Sequence, residues 1–184
     1  MSWLDQRPDD AMAGAFEAVA PEPVQTVLPP EFRDAMSRLG AAVHVITTDG
    51  KAGRSGFTAT AVCSVTDAPP TVLVCLNRRS QAAPIVHQNG VFCVNTLAAS
   101  EAAVADAFAG RTGLAREDCF ASGEWIALVT GAPVLASSVV AFDCRTIDTK
   151  AVGSHNVIFG AVQAVRLGHA EAALVYHNRA YKQV

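Results

Sequence analysis

The amino-acid sequence predicts a mainly β protein with short helices, arranged as an antiparallel barrel. Many short runs of β-branched and apolar residues are separated by turn residues, and only a few short segments carry helical spacing. Strands and helices do not alternate regularly, so a doubly wound parallel sheet is not expected. The sequence contains no internal repeat.

The expected elements begin at residue 30. Phe32, Met36 and Leu39 share one face of a short helix that Gly40 ends. Strands are expected at residues 41–48, before the Asp49-Gly50 turn, and at 57–66, 71–76, 91–97, 138–151, 156–167 and 173–176. Two more short helices are expected at 80–88 and at 100–109, and the polar residues 111–124 are expected to be irregular.

Composition limits the classes of function. The 184 residues are 51% hydrophobic and 17% charged, with a formal net charge of -3, which suits one compact domain. No run of Lys or Arg is present, so a nucleic-acid surface is not expected. No apolar stretch reaches the roughly 20 residues of a spanning helix. Acidic residues such as Asp5 and Asp9 stand where a signal peptide needs basic and apolar ones, so we expect a cytoplasmic protein without a membrane partner.

The five cysteines are odd in number and include no C-x-x-C pair. Most lie inside apolar runs, where cysteine behaves as a small buried hydrophobic residue, so we expect them to be buried and reduced. They are Cys63, Cys75, Cys93, Cys119 and Cys144. The histidines lack H-x-x-x-H and H-E-x-x-H spacing, so no metal site is expected.

Residues 1–29 differ from the rest because they are rich in Ala, Pro and acidic residues. They predict a flexible N-terminal arm, with a short helix near residues 11–19, ahead of one domain at residues 30–184. A helix that packs on a partner subunit is the alternative.

The segment Gly56–Ser64 has the alternation of a strand, yet its side chains are small. Small side chains let a flat ligand approach the backbone, while the hydroxyls of Thr58 and Thr60 and the backbone N–H groups face a polar ring edge. The alternative is a strand packed tightly against a neighbouring helix.

At Cys75–Ser80 a strand ends, and two arginines and a hydroxyl lead into a helix. A helix N-terminus offers free N–H donors and arginine offers a forked cationic donor, so a phosphate group fits there. The alternative is that Ser80 only caps the helix while Arg78 and Arg79 are solvated. Neither G-x-G-x-x-G nor G-x-x-x-x-G-K-[ST] occurs, so a nucleotide would need another scaffold.

His155 follows Gly153 and Ser154 between two long strand segments. In that position it could donate to a ligand or orient a nicotinamide, whereas a solvated or capping histidine is the alternative. No G-x-S-x-G elbow is present, so an α/β-hydrolase is not expected.

Four segments occur in order: FRDAMSRLGAAVHVITTDG, GRSGFTATAVCSVTDAPPTVLVCLNRRS, FCVNTLA and GSHNVIFGAVQAV. Together, from about Phe32 to Tyr181, they resemble the short-chain flavin reductases, the small components of two-component flavin monooxygenases, and most of all those of pyrimidine utilisation. The resemblance implies an antiparallel Greek-key split β-barrel that binds FMN, usually as a homodimer. It also implies an NAD(P)H:flavin oxidoreductase that reduces FMN, or FAD, with NADH or NADPH and supplies a partner monooxygenase.

The resemblance also implies roles for particular residues. The residues that would line the isoalloxazine ring are Thr58, Ala59, Thr60 and Ala61. Those that would lie near the ribityl and phosphate groups are Asn77, Arg78, Ser80 and Gln81. His155 matches the histidine of the family's Gly-Asp-His motif, which lies beside the nicotinamide, with Ser154 in place of the usual Asp. Tyr181 matches a C-terminal aromatic residue near the flavin.

Two other functions fit the same residues. One is a split-barrel enzyme that keeps its flavin permanently bound and acts on its own organic substrate. The other is a flavin-binding module without catalysis, which the placement of His155 disfavours.

Overall fold

The computed structural model describes residues 25–169 and 172–184. The chain divides into two units, residues 1–34 and 35–184. Nearly all of the predicted N-terminal arm, including its short helix near residues 11–19, lies outside the described residues. No helix in the described part of the chain is long and apolar enough to cross a membrane.

The described chain is mainly β, as the sequence predicts. The helices are α1 (Pro29–Ser37), α2 (Ala82–Asn89) and α3 (Ala102–Phe108). The strands are β1 (Ala41–Ala42), β2 (His44–Thr48), β3 (Ser55–Ala59), β4 (Val62–Asp67), β5 (Pro70–Asn77), β6 (Val91–Thr96), β7 (Trp125–Ala127), β8 (Pro133–Leu135), β9 (Val140–Val152), β10 (His155–Leu167), β11 (Leu174–His177) and β12 (Ala180–Gln183).

Seven strands form the main sheet in the order β3-β2-β6-β9-β10-β5-β4, and neighbouring strands are antiparallel throughout. The two edge strands, β3 and β4, are consecutive in the chain and are joined only by Thr60 and Ala61. Three residue steps span at most about 10 Å, whereas the edges of a flat seven-stranded sheet lie about 29 Å apart. The sheet must therefore curl until its two edges approach each other.

Several predicted strands differ from the observed ones. The predicted strand 57–66 is wrong as one element, because the chain bends at Thr60 and passes from the β2 edge to the β5 edge. The predicted strand 41–48 is also divided, because the Val43 N–H leaves the main sheet to donate to the Leu174 carbonyl at 2.9 Å. The small β7–β8 sheet and the final strand β12 were not predicted.

Helices α2 and α3 lie close to their predicted positions. Gly90 ends α2 in the left-handed region, with φ 66, and donates its N–H to the Val86 carbonyl at 3.1 Å. Such an ending favours glycine because it lacks a Cβ. In α1 the predicted apolar face is exposed, with Phe32 at 56% and Met36 at 47%.

The interior of residues 35–184 contains two larger apolar clusters. One brings Ile46, Val74 and Phe92 of the main sheet against Val86 of α2. The other joins α3 to the segment that follows it, where the rings of Phe108, Phe120 and Trp125 meet edge to face with centroids 5.0–5.6 Å apart. Such ring pairs add about 0.5–1.5 kcal/mol each beyond their burial.

Three of the cysteines are buried as expected: Cys93, Cys119 and Cys144. Cys75 is half-buried, and all five thiols are free. The expectation is wrong for Cys63, which is exposed. Cys63 lies on β4, and five of the six residues of this strand are exposed.

Asn95 on β6 ties three strands together through its fully buried side chain. Its Nδ2 donates to the Val45 carbonyl at 3.0 Å and to Thr47 Oγ1 at 3.1 Å, and its Oδ1 accepts from the Leu135 N–H at 2.7 Å. Because a buried amide is costly to leave unpaired, this set of bonds fixes β2, β6 and β8 relative to one another.

His44 on β2 makes the stability of the fold depend on pH. The ring is buried beside Thr96 Oγ1, 3.1 Å from Nδ1, and burial lowers the pKa of His44 from 6.5 to about 4. As the pH falls from about 6.5 towards 4, the unfolded chain takes up a proton that the folded chain does not, so stability is lost. We expect urea unfolding at pH 5 to give a stability about 2 kcal/mol lower than at pH 7.5 from this residue.

The control for this prediction is the exposed His87 on α2. His44→Gln should shrink the difference in stability between the two pH values, whereas His87→Gln should leave it unchanged. An identical pH dependence in wild type and His44→Gln would contradict the assignment.

Candidate flavin site

Three adjoining cavities lie in one region of residues 35–184. In this region β3, the Thr60-Ala61 bend, β5 and the end of α3 meet. The central cavity, of 360 Å³, is lined by Phe57, Thr58, Ala59, Thr60, Ala61, Cys75, Leu76, Asn77, Ser80, Phe108, Ala109 and His155. A second, of 260 Å³, contains Arg116 and is called the Arg116 cavity. A third, of 210 Å³, contains Tyr181 and is called the Tyr181 cavity. Ala109 belongs to all three.

The structure brings most of the predicted site residues together. Thr58, Ala59, Thr60, Ala61, Asn77, Ser80 and His155 line the central cavity. Gln81 lines the Arg116 cavity and Tyr181 the third cavity, which shares Thr58, Ala59 and Thr60 with the central one. Among the predicted residues, Arg78 lines none of these three cavities.

The bend between β3 and β4 forms one wall of the central cavity. Ala59 and Ala61 carry only methyl groups, and both strands are sheet edges, so backbone N–H and C=O groups remain unpaired on their outer sides. This wall combines close backbone approach with hydrogen-bonding groups, which suits the polar edge of a flat ring.

Thr58 differs from the expectation, because its hydroxyl does not face a ligand. The Oγ1 donates to the Ala105 carbonyl of α3 at 2.6 Å. The strand is also packed tightly on that helix, since a Cβ at Gly56 would lie 2.7 Å from the Phe108 ring. Both interpretations of this segment therefore apply: it packs against a helix and it lines a cavity.

The start of α2 lies at the boundary between the central cavity and the Arg116 cavity. Ser80 Oγ accepts from the Ala82 N–H at 3.2 Å, which is the capping role considered for it. Ser80 also lines both cavities. A serine hydroxyl that accepts one hydrogen bond retains its own proton, so Ser80 can still donate to a ligand oxygen.

Strand β10 runs antiparallel to β5, and its register pairs His155 with Asn77. Both residues line the central cavity. The ring is half-buried, and its Nδ1 lies 2.9 Å from Ser154 Oγ. Ser154, which stands in place of the aspartate of the related motif, therefore supplies the ring with a neutral partner. That contact leaves Nε2 available to a ligand.

Arg78 joins the end of β5 to the turn before His155. Its backbone N–H donates to the Ser154 carbonyl at 3.0 Å, and its Nη1 donates to the Gly153 carbonyl at 3.3 Å. These bonds hold the turn that carries the histidine. The role of Arg78 near a phosphate stays a prediction.

The Tyr181 cavity contains a small polar network. Tyr181 Oη donates to Asp106 Oδ1 at 3.1 Å, and the Arg111 guanidinium pairs with the same carboxylate at 2.9 Å. Burial raises the pKa of the Tyr181 phenol and the hydrogen bond to Asp106 adds to this, although the Arg111 charge lowers it. The phenol therefore stays neutral and keeps its proton for hydrogen bonding.

Sequence reasoning missed several residues that line the central cavity: Phe57, Cys75, Leu76, Phe108 and Ala109. Burial, and to a lesser degree the nearby Cys63, raises the pKa of the Cys75 thiol, so it is not an activated nucleophile. Phe108 and Ala109 end a predicted helix just before Gly110. This helix end was the only sequence feature that could have pointed to them as residues of a cavity. Among the described residues no cluster of three or more metal-ligating side chains occurs.

Comparison with known proteins gives the family. Residues 36–184 match the model of the flavin reductase like domain, and the chain belongs to this family.

Relatives match over nearly the whole chain. It is 51% identical over 176 residues to the FMN reductase (NADH) RutF of Ancylobacter novellus, covering 96% of this chain and 93% of the relative. It is 49% identical over 172 residues to the protein of the same name from Acinetobacter baylyi, covering 94% and 90%.

Solved structures agree with this assignment. A Haemophilus somnus protein assigned as a flavin reductase has a TM-score of 0.82 and 42% identity, covering 86% of this chain and 100% of that one. BorF, the flavin reductase component of a bacterial two-component tryptophan halogenase, has a TM-score of 0.78 and 26% identity, covering 84% and 97%.

Gly56→Ala tests the packing that shapes the central cavity. The new Cβ would lie 2.7 Å from the Phe108 ring and 2.9 Å from the Ile46 carbonyl oxygen, so Phe108 must move in the wall of two cavities. We expect a loss of about 1–3 kcal/mol of stability in urea unfolding and weaker flavin binding. Gly40→Ala is the control, since its Cβ would make only an ordinary contact, 3.7 Å from Val175. Unchanged stability and binding in Gly56→Ala would rule out this packing.

Ser154→Ala tests the partner of the histidine. Removal of the hydroxyl frees the His155 ring to rotate, so alignment of the nicotinamide should suffer while the flavin walls stay intact. We expect turnover with NADH to fall about tenfold and the Kd for FMN to change less than about twofold. A parallel loss of FMN affinity would show that the Ser154 side chain contributes to the flavin site itself.

Proposed function

We propose that the protein uses NADH to reduce FMN and supplies the reduced flavin to a partner monooxygenase. The single observation that carries this proposal is the juxtaposition of His155 with the small-residue wall Thr58–Ala61 in one cavity. Relatives of about 50% identity that are named FMN reductase (NADH) support it.

The residues of the central cavity fit a flavin. Ala59 and Ala61 leave space for the face of a three-ring system, and the unpaired backbone groups of the sheet edges match its polar rim. Asn77 and Ser80, which line the same cavity, suit the hydroxyls of the ribityl chain. When bound, the flavin supplies the ring that accepts a hydride.

The protein contributes alignment rather than acid–base chemistry. His155 Nε2 would hydrogen-bond the carboxamide of the nicotinamide, while Ser154 Oγ holds the imidazole at Nδ1. Holding two reactants in register accounts for a large share of the rate in such transfers.

The fold is proposed to be an FMN-binding, Greek-key split β-barrel, which the two-residue link between the sheet edges supports. We also infer a homodimer. Exposed apolar side chains on β4, β9 and β10 support this, among them Val65 at 47%, Ile147 at 56% and Val165 at 51%. The cytoplasm is the proposed location, in keeping with five free thiols.

The proposed partner is a flavin-dependent monooxygenase that takes up the reduced flavin. Among structures similar to this chain, one is the reductase component of a two-component halogenase and another is nitrilotriacetate monooxygenase component B. FAD as a second flavin and NADPH as a second donor belong to the same proposal.

The assay that tests the function is oxidation of NADH under low oxygen, with and without excess FMN, followed by the absorbance of reduced nicotinamide. We expect the rate to rise with added FMN until it saturates. Flavin that stays bound through gel filtration, with no turnover of added FMN, would favour instead an enzyme with a permanent flavin.

His155→Ala should lower kcat/KM for NADH about tenfold to a hundredfold, with FMN affinity little changed, because the histidine aligns the nicotinamide. The matched control is His87→Ala, an exposed histidine on α2 that lines none of the three cavities. Loss of FMN binding with normal turnover per bound flavin would assign His155 to the flavin instead.

A further inference from the structure

The Arg116 cavity opens into the central cavity through four shared residues: Phe57, Ser80, Phe108 and Ala109. It therefore continues the proposed flavin site past the start of α2. Three further polar side chains line it, from three different elements: Ser55 of β3, Gln81 before α2, and Arg116 from the segment after α3. A ligand that fills the central cavity can extend one end into this polar extension.

Arg116 is the cation of this cavity. Its Nη2 donates to Gln81 Oε1 at 3.3 Å. Within the described residues no carboxylate lies in ion-pair distance of Arg116, in contrast to Arg54, which pairs with Asp49, and Arg111, which pairs with Asp106. An exposed guanidinium held by a neutral amide at a cavity wall keeps its charge and most of its donors available for an anion.

Ser55 gives a second, independent indication of a ligand. The residue is fully buried, and its Oγ has no hydrogen-bond partner among the described residues. A buried hydroxyl without a partner is costly, so such a group in a cavity wall calls for an explanation. An acceptor oxygen of a ligand in the Arg116 cavity would satisfy it.

Ser80 is the third residue that can bind an anion in this cavity. Its Oγ already accepts from the Ala82 N–H, and its own O–H can donate to a ligand oxygen. Two hydroxyls and one guanidinium thus surround one small space, and the Gln81 Oε1 beside them is already engaged by Arg116. Such a set of donors matches a phosphate monoester, which has acceptor oxygens and negative charge.

We propose that Arg116 and Ser55, together with Ser80, bind the phosphate of FMN and make the protein prefer FMN to riboflavin. This inference rests on the proposed flavin-reductase function, and it assigns the phosphate contact to a residue outside the Cys75–Ser80 segment. Arg78, the arginine that the sequence favours, instead has its guanidinium on the Gly153 carbonyl.

The experiment compares the Kd of FMN with that of riboflavin, by quenching of flavin fluorescence, in wild type, Arg116→Met, Arg78→Met and Ser55→Ala. Arg116→Met should weaken FMN about tenfold or more and riboflavin less than about twofold, because only FMN carries the phosphate. Ser55→Ala should weaken FMN about fivefold with riboflavin unchanged. Arg78→Met should alter both flavins equally, which makes it the matched control.

Arg116→Lys separates charge from shape, and it should restore part of the lost FMN affinity. Inorganic phosphate added to wild type should weaken FMN binding and leave riboflavin binding unchanged. Arg116 is exposed, so its variants are expected to fold, and circular dichroism checks this.

Three outcomes would overturn the assignment: an undiminished FMN preference in Arg116→Met, loss of that preference only in Arg78→Met, or equal binding of both flavins by wild type. In each of these cases the protein still binds flavin, so the proposed function stands. Binding of neither flavin by wild type would instead remove the proposed function and the phosphate assignment together.

Discussion

The link of two residues between β3 and β4 is the constraint on which the rest of the structure depends. It joins the first and last strands of a seven-stranded sheet, so the sheet has to curl until its edges nearly meet. Helix α3 packs over this junction, where Thr58 donates to the Ala105 carbonyl and Gly56 leaves space for Phe108. The candidate site lies at this junction, where small side chains on and between two edge strands line the central cavity.

Antiparallel pairing then determines what else reaches the junction. The register of β10 on β5 sets His155 opposite Asn77, although the two are far apart in the chain. The bonds from Arg78 to the Ser154 and Gly153 carbonyls fix the turn before the histidine. The same pairing thus holds two residues of the central cavity, His155 and Asn77, at a defined separation.

The sequence predicted the mainly β class and helices α2 and α3, since strand alternation and glycine stops are local signals. Most of the predicted residues in the central cavity came instead from the resemblance of the ordered segments to a known family. It did not predict the break at Thr60, because a bend between two edge strands depends on the partners of each strand. Arg116 was missed for a similar reason: it lies in a polar segment without periodicity, and its contact with Gln81 joins residues 35 positions apart in the chain. The engagement of Arg78 with Gly153 depends on a strand pairing that no local pattern reveals.

Ala109 stands where the three cavities meet, directly after α3, with its N–H on the same Ala105 carbonyl that accepts from Thr58. The small methyl side chain at this position leaves the three cavities continuous, so one ligand can occupy the central cavity and extend into the Arg116 or Tyr181 cavity. A bulkier side chain would act as a partition between them. Substitution of Ala109 is therefore expected to change which flavin derivatives bind and how fast they dissociate.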